Sequence, residues 1–536
     1  MGVGGRRWNG WGFDGERFPV TATARAWLSE RIGDGAPLPT IDEAEVTVSP
    51  ARPLPDLPCE LARDRGARLR YACGLSLPDL VALRTGAMAA FPDAVAFPAS
   101  PAEIAALVHA ADATSVALIP RGGGTSVVGG VTVRPLAKPT VVLSLERLRG
   151  LLALDRISRL ATFAAGTLGP ELEAALAPHG LRLGHEPQSF EFSTLGGWIA
   201  TRSAGQRSTG VGKIDDLVAG LEIATPAGAW RLPAQPASAA GPEPRRLLLG
   251  SEGRLGVITE ATVRVRPMPE LEDGVGVMVP GWEAGVAVCR SLAQDGVPVE
   301  VMRLSDPNET AFGTALTRLS SWQRRALRLL GMLTRSEHGC LLMLGWAGGT
   351  QEVVLARARA AALWRSHRGV SLGSSPYRHW RRDRFRHPYL RDELVGAGWG
   401  VDTVETAAPW AKLSNVRVAV SDALRAAATA AGFTVAVLCH LSHAYRDGAS
   451  LYFTFLWPLR SGAELTHWRA LKTAATGALL ARGGTLSHHH GVGTMHAPYL
   501  EREIGAAGVT AVRALVAALD PRGTLNPGVL LSGDGA

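Results

Sequence analysis

The chain has 536 residues, of which 46% are hydrophobic and 19% are charged, and it carries a formal net charge of +8. This composition is typical of a globular protein and excludes an extended disordered chain. A basic surface attracts nucleic acid, anionic lipid or phosphorylated small molecules, but the basic residues are spread widely and form no nucleic-acid motif. We therefore expect no nucleic-acid partner.

The five cysteines form no CxxC pair, which argues against a disulfide framework or a cysteine zinc site and fits a reducing compartment. The first residues lack the apolar stretch of a secretory signal, and no run is apolar and long enough to span a bilayer. We expect a cytoplasmic protein without signal peptide or transmembrane helix, with peripheral membrane contact as an option.

In chain order, residues 1–85 have little periodic strand signal, and their proline clusters predict an extended arm with short helices. Strand and helix patterns then alternate through residues 86–268. The first predicted strand is followed by a helix that Ser100 and Pro101 begin. The predicted strands at the start of this region are Ala94–Phe97, Val116–Ile119 and Thr140–Leu143.

Residues 269–475 alternate strand-like runs with helical stretches rich in arginine and alanine, which predicts an antiparallel sheet covered by helices. Residues 476–536 combine a loop with a helix at Val509–Leu519 and a turn at Asp520. The predicted fold class is α+β. The strand-like runs are Gly274–Val279, Leu341–Gly345, Thr434–Leu438 and Ser450–Phe455.

A glycine-rich turn follows the second predicted strand. Consecutive glycines let backbone N–H groups converge on one concavity, which suits a pyrophosphate, and neighbouring hydroxyls add donors. The turn neither opens a long helix as GxGxxG does nor contains Gly-Lys-Ser/Thr, which argues against Rossmann and P-loop binding. A glycine triplet alone is more often an ordinary loop. The turn consists of Pro120, Arg121, Gly122, Gly123, Gly124, Thr125 and Ser126, with Gly129 and Gly130 beyond it.

Two further glycine-bearing turns follow at Gly184–Trp198 and Gly250–Thr259. Three such turns can wrap an extended dinucleotide, although each can also be a tight turn between elements. Their order and spacing resemble the PCMH-type FAD-binding domain of the vanillyl-alcohol-oxidase/cresol-methylhydroxylase superfamily. The resemblance implies a FAD-binding domain of two α/β subdomains at 86–268, a cap domain at 269–475, and a C-terminal segment that returns to the flavin.

In that superfamily these segments line the FAD, and some members attach FAD covalently through a histidine beside the glycine loop. This loop has no His or Cys, so we expect non-covalent FAD. The residues that the resemblance assigns to FAD are Pro120, Arg121, Gly122, Gly123, Gly124, Thr125, Ser126, Gly184, Pro187, Ser189, Ser193, Thr194, Gly197, Trp198, Thr201, Glu252, Gly253, Leu255, Gly256, Val257 and Ile258.

Within the superfamily, the chain is most similar to the alkyl-dihydroxyacetonephosphate synthases, which make the ether bond of ether lipids. The similarity runs nearly from end to end, and the opening segment and the histidine triplet are its most specific parts. The segments are Trp8–Gly12, Gly184–Thr194, Glu405–Trp410, Leu451–Phe453 and Ser487–Gly493.

The resemblance implies that a fatty alcohol replaces the acyl group of acyl-dihydroxyacetone phosphate without net oxidation. A proton must leave the reacting carbon, so a proton-handling side chain is needed. The synthases assign this task to a tyrosine, which Tyr452 matches. Positive charge or hydrogen bonds must help a phenol near pKa 10, and the histidine triplet is placed to do so. The implied catalytic residues are Tyr452, His488, His489, His490, Arg303 and Arg391.

Each of these residues also has an ordinary interpretation. Tyr452 on an alternating strand fits a packing aromatic, and Arg391 ends an arginine-rich run that fits a solvated face. The histidine triplet fits a chance run or a zinc site, but no matched Cys or Glu is evident in the sequence, so we expect no metal.

The chain departs from the synthases where they carry Cys-Arg-Val-Thr, because it has His440 after Cys439 and a second histidine at His443. The related lactate and glycolate dehydrogenases begin a metal-binding segment there, but its remaining residues are missing. The alternative function is therefore a FAD-linked oxidase or dehydrogenase of a hydroxy acid or alcohol. A flavin-binding scaffold without activity is a third interpretation.

Leu316–Arg335 has leucine and tryptophan on one helical face and arginine on the other. Such a helix either lies on an anionic membrane or packs on the cap domain. The expected partners are a phosphorylated lipid-like substrate and a fatty alcohol, with a membrane surface and a homodimer as further options.

Overall fold

The computed structural model describes residues 5–317 and 339–533. Strands in these residues are numbered in chain order. They are β1 Leu61–Ala62, β2 Ala94–Ala96, β3 Ala117–Arg121, β4 Thr140–Ser144, β5 Leu151–Asp155, β6 Leu160–Ala164, β7 Leu181–Arg182, β8 Val218–Thr225, β9 Gly228–Leu232, β10 Val257–Arg264, β11 Arg266–Pro267, β12 Leu271–Val279, β13 Val301–Ser305, β14 Cys340–Gly348, β15 Val370–Ser371, β16 Trp399–Pro409, β17 Ala436–Ala444 and β18 Gly448–Pro458.

Helices in the same residues are Ala22–Ile32, Arg65–Arg70, Leu77–Thr85, Pro101–Ala113, Gly169–Leu176, Leu195–Thr201, Ser208–Val211, Ile214–Leu217, Pro244–Leu248, Trp282–Gln294, Pro307–Leu316, Thr350–Ser366, Ser375–Asp383, His387–Gly396, Trp410–Ala430, Glu464–Ala481 and Leu500–Leu519. Their starts follow ordinary capping chemistry. The Ser100 hydroxyl accepts the Glu103 amide, and Thr194 Oγ1 accepts the Gly197 amide, both at 3.2 Å. In residues 5–317 and 339–533, no helix combines the length and hydropathy that crossing a bilayer requires.

The first sheet has the order β1-β2-β4-β3, and its β2, β4 and β3 run parallel. These three strands are almost entirely buried, as expected for parallel strands covered on both faces. The glycine turn leaves the carboxyl end of β3. The second sheet is antiparallel, in the order β5-β6-β10-β8-β9, and one hydrophobic core joins it to the first.

The third sheet is antiparallel in the order β15-β12-β14-β13-β17-β18-β16. Side chains alternate between its faces. On β18, Leu451, Phe453 and Phe455 are fully buried in the helix-covered core, whereas Tyr452 and Thr454 face a cavity. The alternation therefore places apolar residues of β18 in the core and polar residues of β18 at the cavity.

A buried ion cluster joins the second sheet region to the third. Arg207 pairs with Glu300 at 2.8 Å, with Glu186 at 3.2 Å and with Glu272, while Arg182 reaches Glu300 at 2.7 Å. Burial lowers the pKa of Arg207, but Glu186 and Glu272 more than offset burial and raise the pKa overall. Guanidinium groups that pair with several carboxylates fix the position of the second sheet region relative to the third.

The α+β fold and the antiparallel cap sheet are confirmed. Four predicted runs lie inside longer strands, because strand pairing extends beyond the hydrophobic residues that mark them; Gly274–Val279, for example, is part of β12. The other three overlap their strands but differ at one or both ends: Ala94–Phe97 ends one residue after β2, Val116–Ile119 begins one residue before β3, and Thr434–Leu438 begins two residues before β17. Sequence patterns left β13 and β16 unassigned. Of the predicted amphipathic helix, residues 318–335 lie outside the described residues. The division of the chain at residues 85, 268 and 475 stays a proposal.

Candidate active site

A cavity of about 760 Å³ is lined by residues from all three larger sheets. The glycine turn after β3, the loop before helix Leu195–Thr201 and the turn before β10 form one part of its wall. The third sheet forms another, through alternate residues of β13, β17 and β18. The cavity thus brings the three glycine-bearing turns and the histidine triplet to one place.

The first two turns pack directly on each other. A Cβ atom on Gly123 would lie 1.7 Å from the carbonyl oxygen of Phe192, and one on Gly122 would lie 2.2 Å from Thr194 Oγ1. Neither position has room for a side chain. Backbone atoms of the first turn therefore reach the cavity wall beside the hydroxyls of Thr125 and Ser126.

Arg121 stabilises the glycine turn from behind. Its guanidinium donates to the Cys73 carbonyl at 2.6 Å and lies over the Tyr71 ring at 5.2 Å. A Cβ on Gly124, whose φ is +68°, would lie 2.3 Å from the same guanidinium. Arg121 thus lines the cavity and holds the glycine turn against Tyr71 and Cys73.

Glu252 connects the third turn to the C-terminal segment. Its carboxylate accepts the backbone amides of Val492 at 2.6 Å and Gly493 at 2.8 Å. Burial raises the pKa of Glu252 to about 7, and the two amides only partly offset it. The segment that carries the histidine triplet is thereby fixed to the cofactor side of the cavity.

Tyr452 lies between histidine rings. It stacks on His440 with ring centroids 5.0 Å apart and on His489 at 5.9 Å, and it meets the edge of His490 at 5.7 Å. Burial raises the pKa of Tyr452 to about 12, so the phenol stays protonated near neutral pH. It is positioned as a proton donor or relay in the cavity wall.

The histidine triplet is held from below by Glu405, which is 2% exposed and pairs with Tyr452 across β16 and β18. Its carboxylate accepts the amides of His488, His489 at 3.2 Å and His490 at 2.9 Å, and the Ser487 hydroxyl at 2.7 Å. Burial raises the pKa of Glu405, but the adjacent histidines and the hydroxyl outweigh burial and hold it well below its usual value.

The three histidines have different surroundings. His489 and His490 line the cavity, and burial lowers the pKa of both rings, that of His489 to about 3. His488 is turned away, since its Nε2 lies 2.7 Å from the Tyr445 hydroxyl and its carbonyl accepts Lys213 Nζ at 2.6 Å. Neutral rings beside the phenol can exchange protons with it.

Glu405, His488 and His489 also bring potential metal-ligand atoms within 4.8 Å of one another. Three of the donors to the Glu405 carboxylate are backbone amides. Their N–H groups would point towards a cation bound at this carboxylate and repel it. His488 Nδ1 already lies 2.9 Å from His489 Nδ1. The set is better explained as the support of the loop than as a metal centre.

Arg303 on β13 belongs to a second buried group in the cavity. It donates to Glu309 Oε1 at 2.5 Å, and His440 Nδ1 lies 3.0 Å from the same oxygen. Burial raises the pKa of Glu309, but its interactions and hydrogen bonds with His440 and with the Arg303 guanidinium outweigh burial and lower the pKa to about 2. Glu309 is therefore ionised.

Arg391 lies on helix His387–Gly396 and donates to the Leu75 carbonyl at 2.6 Å. The neighbouring Asp392 is 1% exposed and accepts the Trp11 amide at 2.6 Å. A Cβ on Gly10 would lie 2.4 Å from that carboxylate. These contacts give a reason for the sequence of Trp8–Gly12. Because Gly10 has no side chain, the segment packs closely against the helix that carries Arg391, and Trp11 lies in the cavity wall.

Most residues predicted from sequence line this cavity. Of the six catalytic candidates, five do: Arg303, Arg391, Tyr452, His489 and His490. Three FAD candidates lie outside its wall. Gly184 donates its amide to Glu173 at 2.7 Å, and Leu255 and Val257 are buried in the core of the first two sheets.

Sequence reasoning missed four residues at the cavity or its support: Glu309, His387, Glu405 and Lys213. Glu405 was visible inside a matched segment, yet only the strand register shows that it lies opposite Tyr452. Glu309 and His387 belong to helices far apart in sequence and carry no motif.

Comparison with known proteins agrees with this geometry. The model of "FAD binding domain" matches residues 92–231, and that of "FAD linked oxidases, C-terminal domain" matches residues 268–530. The alkyldihydroxyacetonephosphate synthase of Dictyostelium discoideum is 31% identical over 509 residues, which cover 92% of this chain and 83% of that protein. The synthase of Caenorhabditis elegans is 30% identical, with 96% and 93% covered.

A solved structure of alkyldihydroxyacetonephosphate synthase superposes with a TM-score of 0.83 at 27% identity, covering 97% of this chain and 98% of that one. The structure of p-cresol methylhydroxylase shares the fold, with a TM-score of 0.66 at 12% identity, covering 88% and 94%. The end-to-end similarity in sequence and fold leads to one conclusion: this chain belongs to the alkyldihydroxyacetonephosphate synthase family and is a FAD-binding enzyme.

Proposed function

We propose that this enzyme exchanges the acyl group of acyl-dihydroxyacetone phosphate for a fatty alcohol and so forms an ether bond. One observation carries the proposal: Tyr452, His489 and His490 meet the three glycine turns at a single cavity. The exchange needs proton transfer beside a flavin without an electron acceptor, and this arrangement supplies the proton-handling groups.

The residues present fit FAD. Two turns bring backbone to the wall where side chains are sterically excluded, and hydroxyls beside them suit a pyrophosphate. We infer that FAD is bound non-covalently, because the turn contains no His or Cys. When bound, FAD supplies the flavin chemistry of the redox-neutral exchange. The residues that hold it are Pro120–Ser126, Pro187, Ser189, Ser193, Thr194, Gly197, Trp198, Thr201, Glu252, Gly253, Gly256 and Ile258.

The cap side of the same cavity suits hydrocarbon chains. The wall there combines the polar groups described above with apolar side chains, and contact with apolar side chains is what binds a hydrocarbon chain. Two long chains, one leaving as fatty acid and one entering as alcohol, require such a wall. The apolar residues are Met278, Met302, Phe312, Leu341, Met343, Leu372, Leu394, Leu438 and Leu456.

We assign the proton relay to Tyr452, supported by the neutral rings of His489 and His490. His488 does not line the cavity and acts indirectly, by positioning His489, whose Nδ1 lies 2.9 Å from its own. Arg303 and Arg391 present guanidinium groups to the cavity, which suit the phosphate of the substrate or the carboxylate that leaves. Each role follows from the side chain's position and charge.

The test is an acceptor-free assay of the FAD-loaded protein with palmitoyl-dihydroxyacetone phosphate and labelled hexadecanol. We expect labelled alkyl-dihydroxyacetone phosphate from the native protein, and at least about a hundredfold less from Tyr452→Phe, which keeps the stacked ring but loses the proton. Absence of product from well-folded native protein would overturn the proposal.

The second candidate function is a FAD-linked oxidase or dehydrogenase of a hydroxy acid or alcohol. It is favoured by His440 and His443, which line the cavity where the synthases have other residues. Such an enzyme would bleach its flavin under anaerobic substrate, whereas a redox-neutral exchange leaves flavin absorbance oxidised at the end of the assay.

We also propose peripheral membrane association, because both substrates carry hydrocarbon chains and helix Ser375–Asp383 is rich in arginine beside the cavity residues Pro376 and Trp380. Flotation with anionic liposomes should carry the protein upward. Protein that stays entirely in the dense fraction would argue against it. A homodimer is a further proposal, tested by light scattering of the FAD-loaded protein.

A further inference from the structure

The cavity contains a second proton-handling pair that the function assigned above does not use. His440 on β17 faces Tyr452 across the strand pairing, and its Nδ1 lies 3.0 Å from Glu309 Oε1. Its other ring nitrogen, Nε2, has no hydrogen-bond partner among residues 5–317 and 339–533.

We propose that His440, positioned by Glu309, is the base that takes the hydroxyl proton of the incoming fatty alcohol. The inference rests on the proposed function. The alcohol oxygen forms a bond to the substrate carbon, and the bond from that carbon to the ester oxygen breaks. The fatty acid leaves as a carboxylate with that bond's electron pair, and the alcohol's proton passes through His440 to solvent. No oxidant or reductant is required.

Glu309 determines which ring nitrogen can act. Its carboxylate is ionised and can only accept, so the hydrogen of neutral His440 resides on Nδ1 and the lone pair on Nε2. The same carboxylate stabilises the imidazolium that forms when Nε2 takes a proton. A buried carboxylate beside a histidine has this orienting role in many hydrolases.

The charges around His440 keep it neutral before reaction. The groups that face it are Arg303 from β13, Glu309 from helix Pro307–Leu316, His387 from helix His387–Gly396, Tyr452 from β18, and the histidines His443 and His489. Burial and Arg303 lower the pKa of His440, and Glu309 opposes them. The stacked phenol has its pKa raised to about 12.

Stacked groups with pKa values pushed in opposite directions divide the two roles of acid and base. Tyr452 keeps its proton near neutral pH, whereas His440 has a free lone pair at the same pH. Both line the cavity. Two proton transfers accompany the exchange, one at the substrate carbon and one at the alcohol, and two groups are present for them.

The test compares His440→Phe with the native enzyme in the acceptor-free assay, using hexadecanol and the more acidic 2,2-difluorohexadecanol. We expect kcat/KM for hexadecanol to fall about 10²- to 10⁴-fold, with the KM for the acyl substrate unchanged. The deficit should shrink at least about tenfold with the fluorinated alcohol, because an acidic hydroxyl needs less help from a base. Phenylalanine retains the stack on Tyr452.

A deficit of equal size with both alcohols would overturn the inference, since loss of packing does not depend on alcohol acidity. His109→Phe is the control. His109 is exposed on helix Pro101–Ala113 and does not line the cavity, so this variant should stay within about twofold for both alcohols. A native enzyme that makes no ether product would instead overturn the proposed function, and the inference with it.

Glu309→Gln tests the positioning role. Loss of the carboxylate removes the charge that opposes the lowering of the His440 pKa, so the acidic limb of kcat/KM against pH should move to lower pH, with a reduced plateau. An unmoved acidic limb would overturn the role of Glu309. Flavin absorbance and near-ultraviolet circular dichroism report whether either variant has kept its fold.

Discussion

Two buried glutamates hold opposite ends of the same segment, Ser487–Gly493, and their surroundings push their acidity in opposite directions. Glu405 supports the histidine end and has a strongly lowered pKa. Glu252 supports the glycine end, and burial raises its pKa to about 7. Both accept backbone amides of the segment.

The difference in pKa shows that two amide hydrogen bonds do not offset the burial of a carboxyl, whereas a larger set of donors does. Burial of the Glu252 carboxyl outweighs the two amide hydrogen bonds that it accepts, so its pKa is raised. Glu405 has three amides, a hydroxyl and adjacent imidazoles, so the charged form is favoured despite full burial. The histidine end of the segment is therefore held by an ionised carboxylate. The glycine end is held by a carboxyl whose pKa is about 7.

The largest expected effect is that of Glu405→Gln. The amide cannot replace an ionised acceptor of four donors, and we expect a loss of about 3 kcal/mol in the free energy of unfolding. Urea unfolding followed by tryptophan fluorescence measures it. Glu503→Gln is the matched control: Glu503 accepts the Thr485 hydroxyl at 2.6 Å and the Leu486 amide at 3.0 Å, directly before the segment, but it is exposed, so a smaller loss is expected.

The same variant changes the response to acid. A carboxyl with a lowered pKa contributes stability that is present above its ordinary range and is lost as the pH falls through its folded pKa. Glu405→Gln should therefore lose less stability on acidification than the native protein. Equal acid sensitivity would show that Glu405 is not ionised in the folded state.

Glu252→Gln should behave in the opposite way. Its pKa is raised from 4.5 to about 7 on folding, so its contribution is full below pH 4.5 and is lost as the pH rises through 7. The neutral glutamine should remove this decline. Unfolding free energies of the native protein and the variant, both without FAD, are measured between about pH 5 and about pH 8, a range that includes the raised pKa, and their slopes against pH are compared. Equal slopes would contradict the raised pKa.

The smallest expected effect is that of Lys213→Met. Lys213 donates to the His488 carbonyl at 2.6 Å, and its removal leaves that acceptor unpaired while methionine retains the aliphatic stem. We expect a loss of about 1 kcal/mol in the free energy of unfolding. A loss as large as that of Glu405→Gln would mean that the carboxylate is not the main support of the triplet.

Much of the site could be predicted because its signals are local. The Thr194 hydroxyl at Gly122 and the Phe192 carbonyl at Gly123 leave no space for a Cβ, so both positions need glycine, which is visible in the sequence. Tyr452 and the histidine triplet were found by resemblance to the synthases. The placement of Gly184 and Val257 outside the cavity was not visible, because a motif does not say which of its residues point inward.

By itself, the sequence determined the fold class, the cofactor and the segments that meet at the site, since each depends on short patterns of residues. The tertiary structure decided the partners of these residues. Strand register alone places Glu405 and His440 on either side of Tyr452, and helix packing brings Glu309 to His440. Such pairs join positions up to 131 residues apart, and the electrostatics of the site come from them.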